Sequence, residues 1–438
     1  MPSEKKPDND REEQIARLVR AYERRLREKY PPSAQTIDEM ERTAQEIGEG
    51  VKQDIQQEQS DALGAGYQGK KITCACEGVA RFKGQRERRI VTLHGDLLLN
   101  RAYYWCSRCR SGFCPLDATL RVPRGQVSVS VRALACRFSA LLPYGKAARE
   151  LELVCGVHLS NSTLQRISRQ TGNELANEWR KRQEAVWAGS FEPTIKAPKQ
   201  MHVSMDGVMA HVGGIWREVK LGVSFVRGKK GPICDRYCAS LLPSHEFGKA
   251  LKTMSVFAGE TLCRMVAVLA DGSDWIWQES AKHFTTHTQI LDFFHVTEHL
   301  WAVARTRFGH DKKAASDWIA IQKDRLLERE YGAAEVIRDI TDWQPDTDCG
   351  RDVRRTNLAY LINHQHRMKY KSFRSQGYHI GSGVMESSCR WVVQQRMKGS
   401  GMRWQTEGAE AMLHLRTAYC SNADADILSA ARRSTAVA

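Results

Sequence analysis

The stretch Tyr378-His-Ile-Gly-Ser-Gly-Val-Met-Glu-Ser-Ser-Cys-Arg390 is the part of the chain around which the predicted fold is organised. It places one carboxylate, Glu386, at the start of a predicted helix behind a Gly-Ser-Gly loop. From Arg351 to Arg416 there are twelve Lys and Arg against four Asp and Glu, a net +8 of the chain's +15. An acid among so many bases is typical of polyanion chemistry, in which carboxylates hold a divalent metal and bases hold phosphates. Because Mg²⁺ takes several oxygen ligands, we expect further carboxylates elsewhere in the chain.

Length and composition predict a folded protein of about three domains, with 438 residues of which 42% are hydrophobic. We find neither a run of about 18 apolar residues nor an apolar segment at the N-terminus, so we expect no membrane helix and no secretory signal. The thirteen Cys are mostly scattered, which indicates a reducing, cytoplasmic compartment. A pI near 9.3 favours an anionic partner, with nucleic acid first, although ribosomal and membrane-surface proteins are also basic.

Residues 1–64 are rich in Glu, Gln, Lys and Arg, which predicts a solvated helical arm. The composition leaves open whether this arm pairs with a second copy of the chain. We expect a homodimer or a higher oligomer.

Residues 65–125 contain two groups of cysteines at either end of a predicted β-hairpin. The candidate ligands are Cys74, Cys76, Cys106 and Cys109, with Cys114 as an alternative. Four thiolates on two turns are the layout of a zinc ribbon, in which Zn²⁺ is a structural ion. The single-residue gap between Cys74 and Cys76 is shorter than usual, so reduced cysteines in an ordinary hairpin remain the alternative. Nine Lys and Arg against three acids between Lys71 and Arg110 favour contact with DNA.

Residues 126–182 predict a helix-turn-helix, and 183–199, which contain Gly189, Pro193 and Pro198, predict a linker. The second helix begins at about Asn161, with Ser160 or Asn161 as its cap. It would present five side chains to a major groove: Ser162, Thr163, Gln165, Arg166 and Arg169. Helical hairpins without DNA contacts are also common.

Residues 200–295 predict three strands, a helix, a strand, a helix and a strand. This is the order of an RNase H-like sheet, in which acids at neighbouring strand ends meet at one edge. Asp206 and Asp271 each follow a predicted strand and precede a Gly, which would leave room for a phosphate. We interpret 296–376 as a helical insertion and 377–438 as the returning helix with Glu386 and a C-terminal helix that ends frayed.

Asp206, Asp271 and Glu386 are therefore the predicted catalytic acids, which would hold two Mg²⁺ or Mn²⁺ ions about 4 Å apart. A lone Asp-Gly is more often a turn, but three acids at positions that one topology requires outweigh that interpretation. The expected phosphate contacts of this region are Arg390, Arg396, Lys398 and Arg403. Asp274 and Glu298 lie nearby in sequence, and we expect neither to bind metal.

The chain resembles the Kra-type insertion-sequence transposases, bacterial relatives of the mutator-like DDE transposases, over most of residues 70–420. The motifs that carry the resemblance are Ser204-Met-Asp206-Gly, Leu269-Ala-Asp271-Gly-Ser-Asp-Trp-Ile-Trp, Asp292-Phe-Phe-His295-Val-Thr-Glu-His-Leu-Trp, Ile380-Gly-Ser-Gly-Val-Met-Glu386, Gln395-Arg-Met-Lys-Gly-Ser-Gly-Met-Arg-Trp404, Arg101-Ala-Tyr-Tyr-Trp-Cys and Gly112-Phe-Cys-Pro-Leu-Asp117. The resemblance implies that Asp206, Asp271 and Glu386 are the DDE triad and that Asp292 and His295 are an accessory motif. The chain departs from the family's pattern at Cys74 and Cys76, because two residues usually separate these cysteines in the family.

The sequence thus predicts a bacterial, nucleoid-associated transposase that cleaves DNA at the ends of its element and transfers them to target DNA. Residues 65–182 would recognise the ends, and the basic region around Glu386 would hold phosphates without sequence preference. One alternative is a nuclease of the same fold, and another is a DNA-binding regulator with a decayed catalytic domain. Trp275, Trp277, Trp301 and Trp404 are most simply core residues, although Trp404 beside Arg403 also suits stacking on an unpaired base.

Overall fold

The computed structural model describes residues 7–29, 36–122, 125–193, 198–228, 231–284 and 286–435. They form an α/β protein of two compact units. The first unit comprises Met1–Ile167 and Leu428–Ala438, and the second comprises Ser168–Ile427. The division falls inside residues 126–182, the region predicted as a helix-turn-helix domain.

The first unit contains a four-stranded antiparallel sheet in which the strands are neighbours in chain order. The strands are β1 (Lys71–Thr73), β2 (Val79–Thr92), β3 (Gly95–Cys106) and β4 (Ser111–Phe113). The β-hairpin predicted between the two groups of cysteines is present as β2 and β3. Gly95 has φ 97°, a left-handed conformation that a glycine adopts without steric cost at this tight turn.

The charged arm consists of α1 (Pro7–Lys29) and α2 (Ile37–Ala62), whereas residues 1–6 and 30–35 of the predicted arm lie outside the described part of the chain. Thr36 and Glu39 form a capping box at the start of α2. The Gln57 side chain then bonds to both backbone groups of Leu98, at 3.0 Å to its N and 2.9 Å to its O. The arm is therefore not wholly solvated as predicted, because α2 packs on strand β3.

Four helices follow the sheet: α3 (Pro115–Thr119), α4 (Val129–Leu141), α5 (Tyr144–Cys155) and α6 (Asn161–Trp187). Gly156, with φ 63°, ends α5 in a left-handed cap. Ser160 Oγ accepts from Thr163 N at 3.3 Å, which is the cap predicted for α6. The predicted linker 183–199 is wrong at its start, since α6 continues to Trp187, and its residues 194–197 are outside the described ranges.

The second unit is built on a five-stranded mixed sheet with spatial order β7-β6-β5-β8-β9. The strands are β5 (Gln200–Val212), β6 (Ile215–Gly228), β7 (Gly231–Ser240), β8 (Met265–Ala270) and β9 (Thr288–Leu291). β5, β6 and β7 pair in antiparallel fashion, whereas β8 and β9 run parallel to β5. With α7 (Ser244–Phe257) and α8 (Asp274–His283), this order of elements matches the one predicted from the sequence.

The central strands are buried because they are apolar on both faces, as expected for parallel strands covered by helices. Val203 in β5 and Val268 in β8 are both fully buried. The predicted helical insertion contains α9 (Phe293–Phe308), α10 (Lys312–Glu328), α11 (Gly332–Asp342), α12 (Asp348–His364) and α13 (Tyr370–Ser375). The Asp339 carboxylate joins three of these helices, because it accepts from Arg307 at 2.8 Å and from Trp318 at 3.0 Å.

The chain then returns to the sheet through α14 (Gly383–Ser388), a π-helical segment (Cys389–Gln394) and α15 (Gln395–Met397), followed by α16 (Thr406–Cys420) and α17 (Asp424–Arg433). The sequence predicted a frayed C-terminus, and this is wrong for the residues up to Arg433. They form α17, whose side chains Ile427, Ala430 and Ala431 are buried. Residues 436–438 lie outside the described part of the chain.

Candidate functional site

Asp206 and Asp271 occupy equivalent positions on two adjacent parallel strands. The last pair between β5 and β8 is Ser204 with Leu269, and each acid lies two residues further along. Ser204 Oγ donates to the Leu269 carbonyl at 2.6 Å, which fixes this register. Because side chains alternate along a strand, the same offset places both acids on one face of the sheet. The two carboxylates therefore meet at one edge.

The prediction that Asp206 ends a strand is wrong. β5 continues to Val212, and Asp206 pairs with Leu221 of β6. Asp206 instead lies just beyond the last residue of β5 that pairs with β8, so β5 has no neighbouring strand on that side at Asp206. The two glycines that follow the acids also have a packing role, since a Cβ on Gly207 would overlap Glu218 and a Cβ on Gly272 would overlap the Tyr360 ring.

Asp206 is half-buried and lies among other negatively charged side chains. Burial raises the pKa of Asp206 above its usual value, and the negative charges of Asp271 and Glu218 raise it further. Cys389 Sγ approaches Asp206 Oδ2 to 3.6 Å. In the described part of the chain, Asp206, Asp271 and Glu386 form no ion pair with Lys, Arg or His. These carboxylates therefore lack a cationic side-chain partner.

Asp292 anchors the Gly-Ser-Gly loop that carries Glu386. Its carboxylate is 3% exposed and accepts from Phe294 N at 3.2 Å, His295 N at 3.0 Å, and Ser382 N at 2.8 Å. The Ser382 hydroxyl lies 2.8 Å from Asp292 Oδ2 and 3.1 Å from Glu386 Oε1, and it donates its one proton to either. Asp292 thus caps α9 and also fixes the loop before Glu386.

His295 points away from this hydrogen-bonded loop. Its Nδ1 lies 3.4 Å from Glu298, and its ring packs edge-on against His299 and Tyr360. Burial raises the pKa of Tyr360, and the negative charges of Asp271 and Asp292 raise it further. Of the accessory pair, Asp292 therefore bonds to the loop before Glu386, whereas His295 packs against side chains of the helical insertion. Asp274 and Glu298 are exposed.

No three of these acids have carboxylate oxygens within 4.8 Å of one another in the described part of the chain. The register of β5 and β8 brings Asp206 and Asp271 to equivalent positions, and Glu386 follows on the helix behind the loop that Asp292 holds.

Three of the four basic residues predicted near Glu386 are exposed: Arg390, Lys398 and Arg403. The prediction for Arg396 is wrong, because its side chain is only 1% exposed and lies 4.9 Å from the centre of the Trp404 ring. Trp404 is itself buried and donates to the Met397 carbonyl at 3.2 Å. Trp404 is therefore a core residue and is not available to stack on a base.

Sequence reasoning missed several residues that shape this edge: Ser382, Cys389, Tyr360 and Arg416. Arg416 is buried, and its guanidinium bonds to the carbonyls of Trp391 and Val392, with Nε 3.0 Å from the latter. It thereby supports the π-helical segment just after Glu386, and such segments are frequent at functional sites. Ser382 and Cys389 lie within the stretch Tyr378–Arg390, and that motif is the sequence signal that could have identified them.

The cysteine cluster of the first unit consists of Cys74, Cys76, Cys106 and Cys109, whose sulfur atoms lie within 4.8 Å of one another. Cys74 and Cys109 approach to 3.6 Å, as do Cys76 and Cys106. Tetrahedral zinc with Zn–S bonds of about 2.3 Å requires sulfur separations of about 3.8 Å, so the cluster fits a metal ion such as zinc. The short Cys74–Cys76 gap is therefore compatible with four ligands.

Cys114 is not part of this cluster, because it lies after β4 as the cap of α3. Two non-glycine residues, Glu77 and Arg110, take left-handed conformations directly after the second cysteine of each pair, with φ 63° and 54°. The Ser111 hydroxyl lies 3.0 Å from Cys109 Sγ and, together with the neighbouring cysteines, lowers the pKa of that thiol to about 6. Thiolate is the form that binds metal, so this contact favours binding.

The residues predicted for groove contact share one side of α6. Ser162, Gln165, Arg166 and Arg169 are exposed and Thr163 is half-buried, whereas Leu164 and Ile167 are fully buried. The helix therefore presents these side chains to solvent, and their contact with DNA stays a prediction.

Residues 79–189 match the model of an uncharacterised protein family, UPF0236, which is found among bacterial proteins associated with mobile elements. The match covers the hairpin and the following helices and ends before the acids. No curated protein matches the chain significantly. None of the described helices combines the length and apolar character needed to span a membrane.

Proposed function

We propose that the chain is a DNA transposase of an insertion sequence, with a DDE triad formed by Asp206, Asp271 and Glu386. The observation that carries the proposal is the register of β5 and β8, which sets Asp206 and Asp271 side by side. The loop held by Asp292 brings Glu386 to these acids, and Cys389 connects the same segment to Asp206 at 3.6 Å.

The sheet supports an RNase H-like core. Its order places three antiparallel strands first and two parallel strands beyond β5, with helices between β7, β8 and β9. The helical insertion then separates β9 from α14, which carries Glu386. Such a separation in sequence is expected for an active site whose three acids come from distant parts of the chain.

The acids suit divalent metal ions, because Asp206 and Asp271 are half-buried without a cationic side-chain partner, and a bound cation would offset the cost of that burial. Glu386 is exposed. Asp206, Asp271 and Glu386 would hold two Mg²⁺ or Mn²⁺ ions, which activate the attacking oxygen and stabilise the leaving oxygen when bound. In the described part of the chain, no three oxygens from these acids lie within 4.8 Å of one another. Different pairs of acids can then serve ions about 4 Å apart.

The chain's own residues position the DNA. Arg390, Lys398 and Arg403 are exposed and follow Glu386 in the chain, and they would bind phosphates regardless of sequence. Strand cleavage by water and the attack of the freed 3′-hydroxyl on target DNA are both in-line phosphoryl transfers. For such reactions the protein contributes mainly orientation and charge. The exposed side of α6 and the zinc-binding hairpin would select the element ends.

Incubation of the purified chain with its flanking genomic DNA and Mg²⁺ tests this proposal. A transposase gives nicks at the element ends and products joined to target DNA. Nicks without joined products identify a nuclease, and selective binding without nicks identifies a DNA-binding regulator.

A further inference from the structure

The second unit contains a cavity of about 800 Å³ beside the loop before Glu386. We propose that this cavity, named here the Phe294 cavity, binds one unpaired nucleotide of the DNA strand next to the reacting phosphate. Phe294 would stack on the base, and Arg227 and Lys371 would contact the phosphates. The inference rests on the proposed function, because it assigns part of the substrate to a place beside the acids.

The position of the cavity links it to the acidic edge. Gly381 and Gly383 line it, and the residue between them, Ser382, contacts both Asp292 and Glu386. The same loop therefore borders the cavity and the acids. A strand whose phosphate reaches Glu386 would pass directly along this loop.

Phe294 gives the cavity a fixed and accessible aromatic surface. Its side chain is 56% exposed, whereas the preceding Phe293 is buried and the following His295 is half-buried. Its ring lies over Gly381, where a Cβ would come within 2.6 Å of a ring carbon. Its backbone N–H is bonded to Asp292 at 3.2 Å. A rigid exposed ring suits stacking on a base, which is independent of sequence.

The charge of the cavity suits a phosphate backbone. Arg227 and Lys371 are exposed, and no acid in the described ranges forms an ion pair with either. Among the described residues that line the cavity, Glu328 is the one acid, and Arg374 pairs with it at 2.7 Å. The nucleotide must be unpaired, because a base within a duplex already has both faces stacked.

Binding of the full-length chain to two 12-nucleotide probes tests this inference without metal and without cleavage. One probe is oligodeoxythymidylate, and the other has the same phosphates but abasic sugars. We expect the wild-type chain to prefer the thymidylate, and Phe294→Ala to lose about fivefold or more of that preference. Phe294→Tyr should keep it. Tyr331→Ala, which removes an aromatic side chain that is 76% exposed outside the cavity, should also keep it. Lys371→Ala should weaken binding of both probes equally.

A wild-type chain without preference, or a preference that Phe294→Ala leaves intact, overturns the inference. So does a Phe294→Tyr variant that melts like the wild type but loses the preference. The outcome is independent of the cleavage assay, because absent cleavage contradicts the proposed transposase activity and leaves the binding ratio unaffected.

Discussion

Cys389 Sγ lies 3.6 Å from Asp206 Oδ2, and Cys389 follows Glu386 by three residues. The segment that carries Glu386 therefore also places the buried Cys389 thiol against Asp206. Burial raises the pKa of the Cys389 thiol, and the Asp206 charge adds to that rise, so the thiol stays protonated and donates to the carboxylate.

Two substitutions at Cys389 should distinguish the effect of its hydrogen bond to Asp206 from the effect of its packing. Cys389→Ser keeps a donor of similar size, and we expect DNA cleavage to be largely retained. Cys389→Leu overfills a site that is 4% exposed, at a cost of roughly 1–3 kcal/mol, and should displace Asp206 and abolish cleavage. Nicking of flanking genomic DNA measures both. Cys349→Leu, at an exposed cysteine, is the control. Full activity of Cys389→Leu would contradict the assigned contact.

Removal of the Asp292 carboxylate should release the loop before Glu386. We expect Asp292→Ala to reduce the cleavage rate on the order of 100-fold, because a displaced catalytic group costs about that much. Ser382→Ala, which removes only the bridging hydroxyl, should have a smaller effect in the same direction. DNA binding should be unchanged in both variants, and Asp317→Ala, at an exposed acid, serves as the control. If Asp292→Ala cleaves normally, the loop does not depend on this anchor.

The strands and acids of the second unit could be predicted because their signals are local. An apolar run that ends in Asp-Gly indicates β8 without knowledge of its neighbours. The burial of Arg396 could not be predicted, since it depends on Trp404, which the chain brings back to the hairpin of β5 and β6. Trp404 N bonds there to the His211 carbonyl at 3.2 Å.

Element ends were less predictable, because tertiary contacts decide them. The glycine that signalled a linker is Gly189, which is left-handed with φ 68°, but α6 ends only just before it. Similarly, the sequence could not decide which two of Cys74, Cys76 and Cys114 join Cys106 and Cys109 as zinc ligands. The turn after β1 decides this, because a Cβ on Gly78 would lie 3.2 Å from Cys106 Sγ. That close approach brings the two turns together.

We predict one zinc per chain, held by the cysteine cluster. Cys106→Ser should lose the zinc and destabilise the first unit, because the binding energy of a structural zinc, on the order of 10 kcal/mol, is also folding energy. Cys114→Ser should retain the zinc. Elemental analysis of the purified variants measures both results. Loss of zinc from Cys114→Ser with retention in Cys106→Ser would reverse the assignment.

The stability of the second unit should fall in mild acid. Burial lowers the pKa of His202 to about 3 and the pKa values of His364 and His414 to about 4. In the unfolded chain these groups titrate near 6.5, so below that pH the unfolded state binds protons that the folded state excludes. Stability is therefore complete above about pH 7 and is lost progressively as pH falls through 6.5 towards 4.

Urea midpoints at pH 7.5, 6.0 and 5.0 measure this effect. His202→Gln offers another acceptor to His379 N, which lies 3.0 Å from His202 Nε2, but it cannot take up a proton. Its midpoint should therefore fall less steeply with pH than that of the wild type. His158→Gln, at a side chain that is 79% exposed, should follow the wild type. Equal slopes for wild type and His202→Gln would contradict the role of this buried histidine.

The most direct test of the proposed transposase is strand cleavage by variants of the three acids. Asp206→Asn, Asp271→Asn and Glu386→Gln keep the shape of each side chain but lose the charge that would hold Mg²⁺. With flanking genomic DNA and Mg²⁺, we expect end-specific nicks and joined products from the wild type and from Asp274→Asn, an exposed control. Each of the three variants should give none while binding the DNA normally. Near-normal cleavage by any one of them would remove that acid from the site, and near-normal cleavage by all three would contradict the proposed active site.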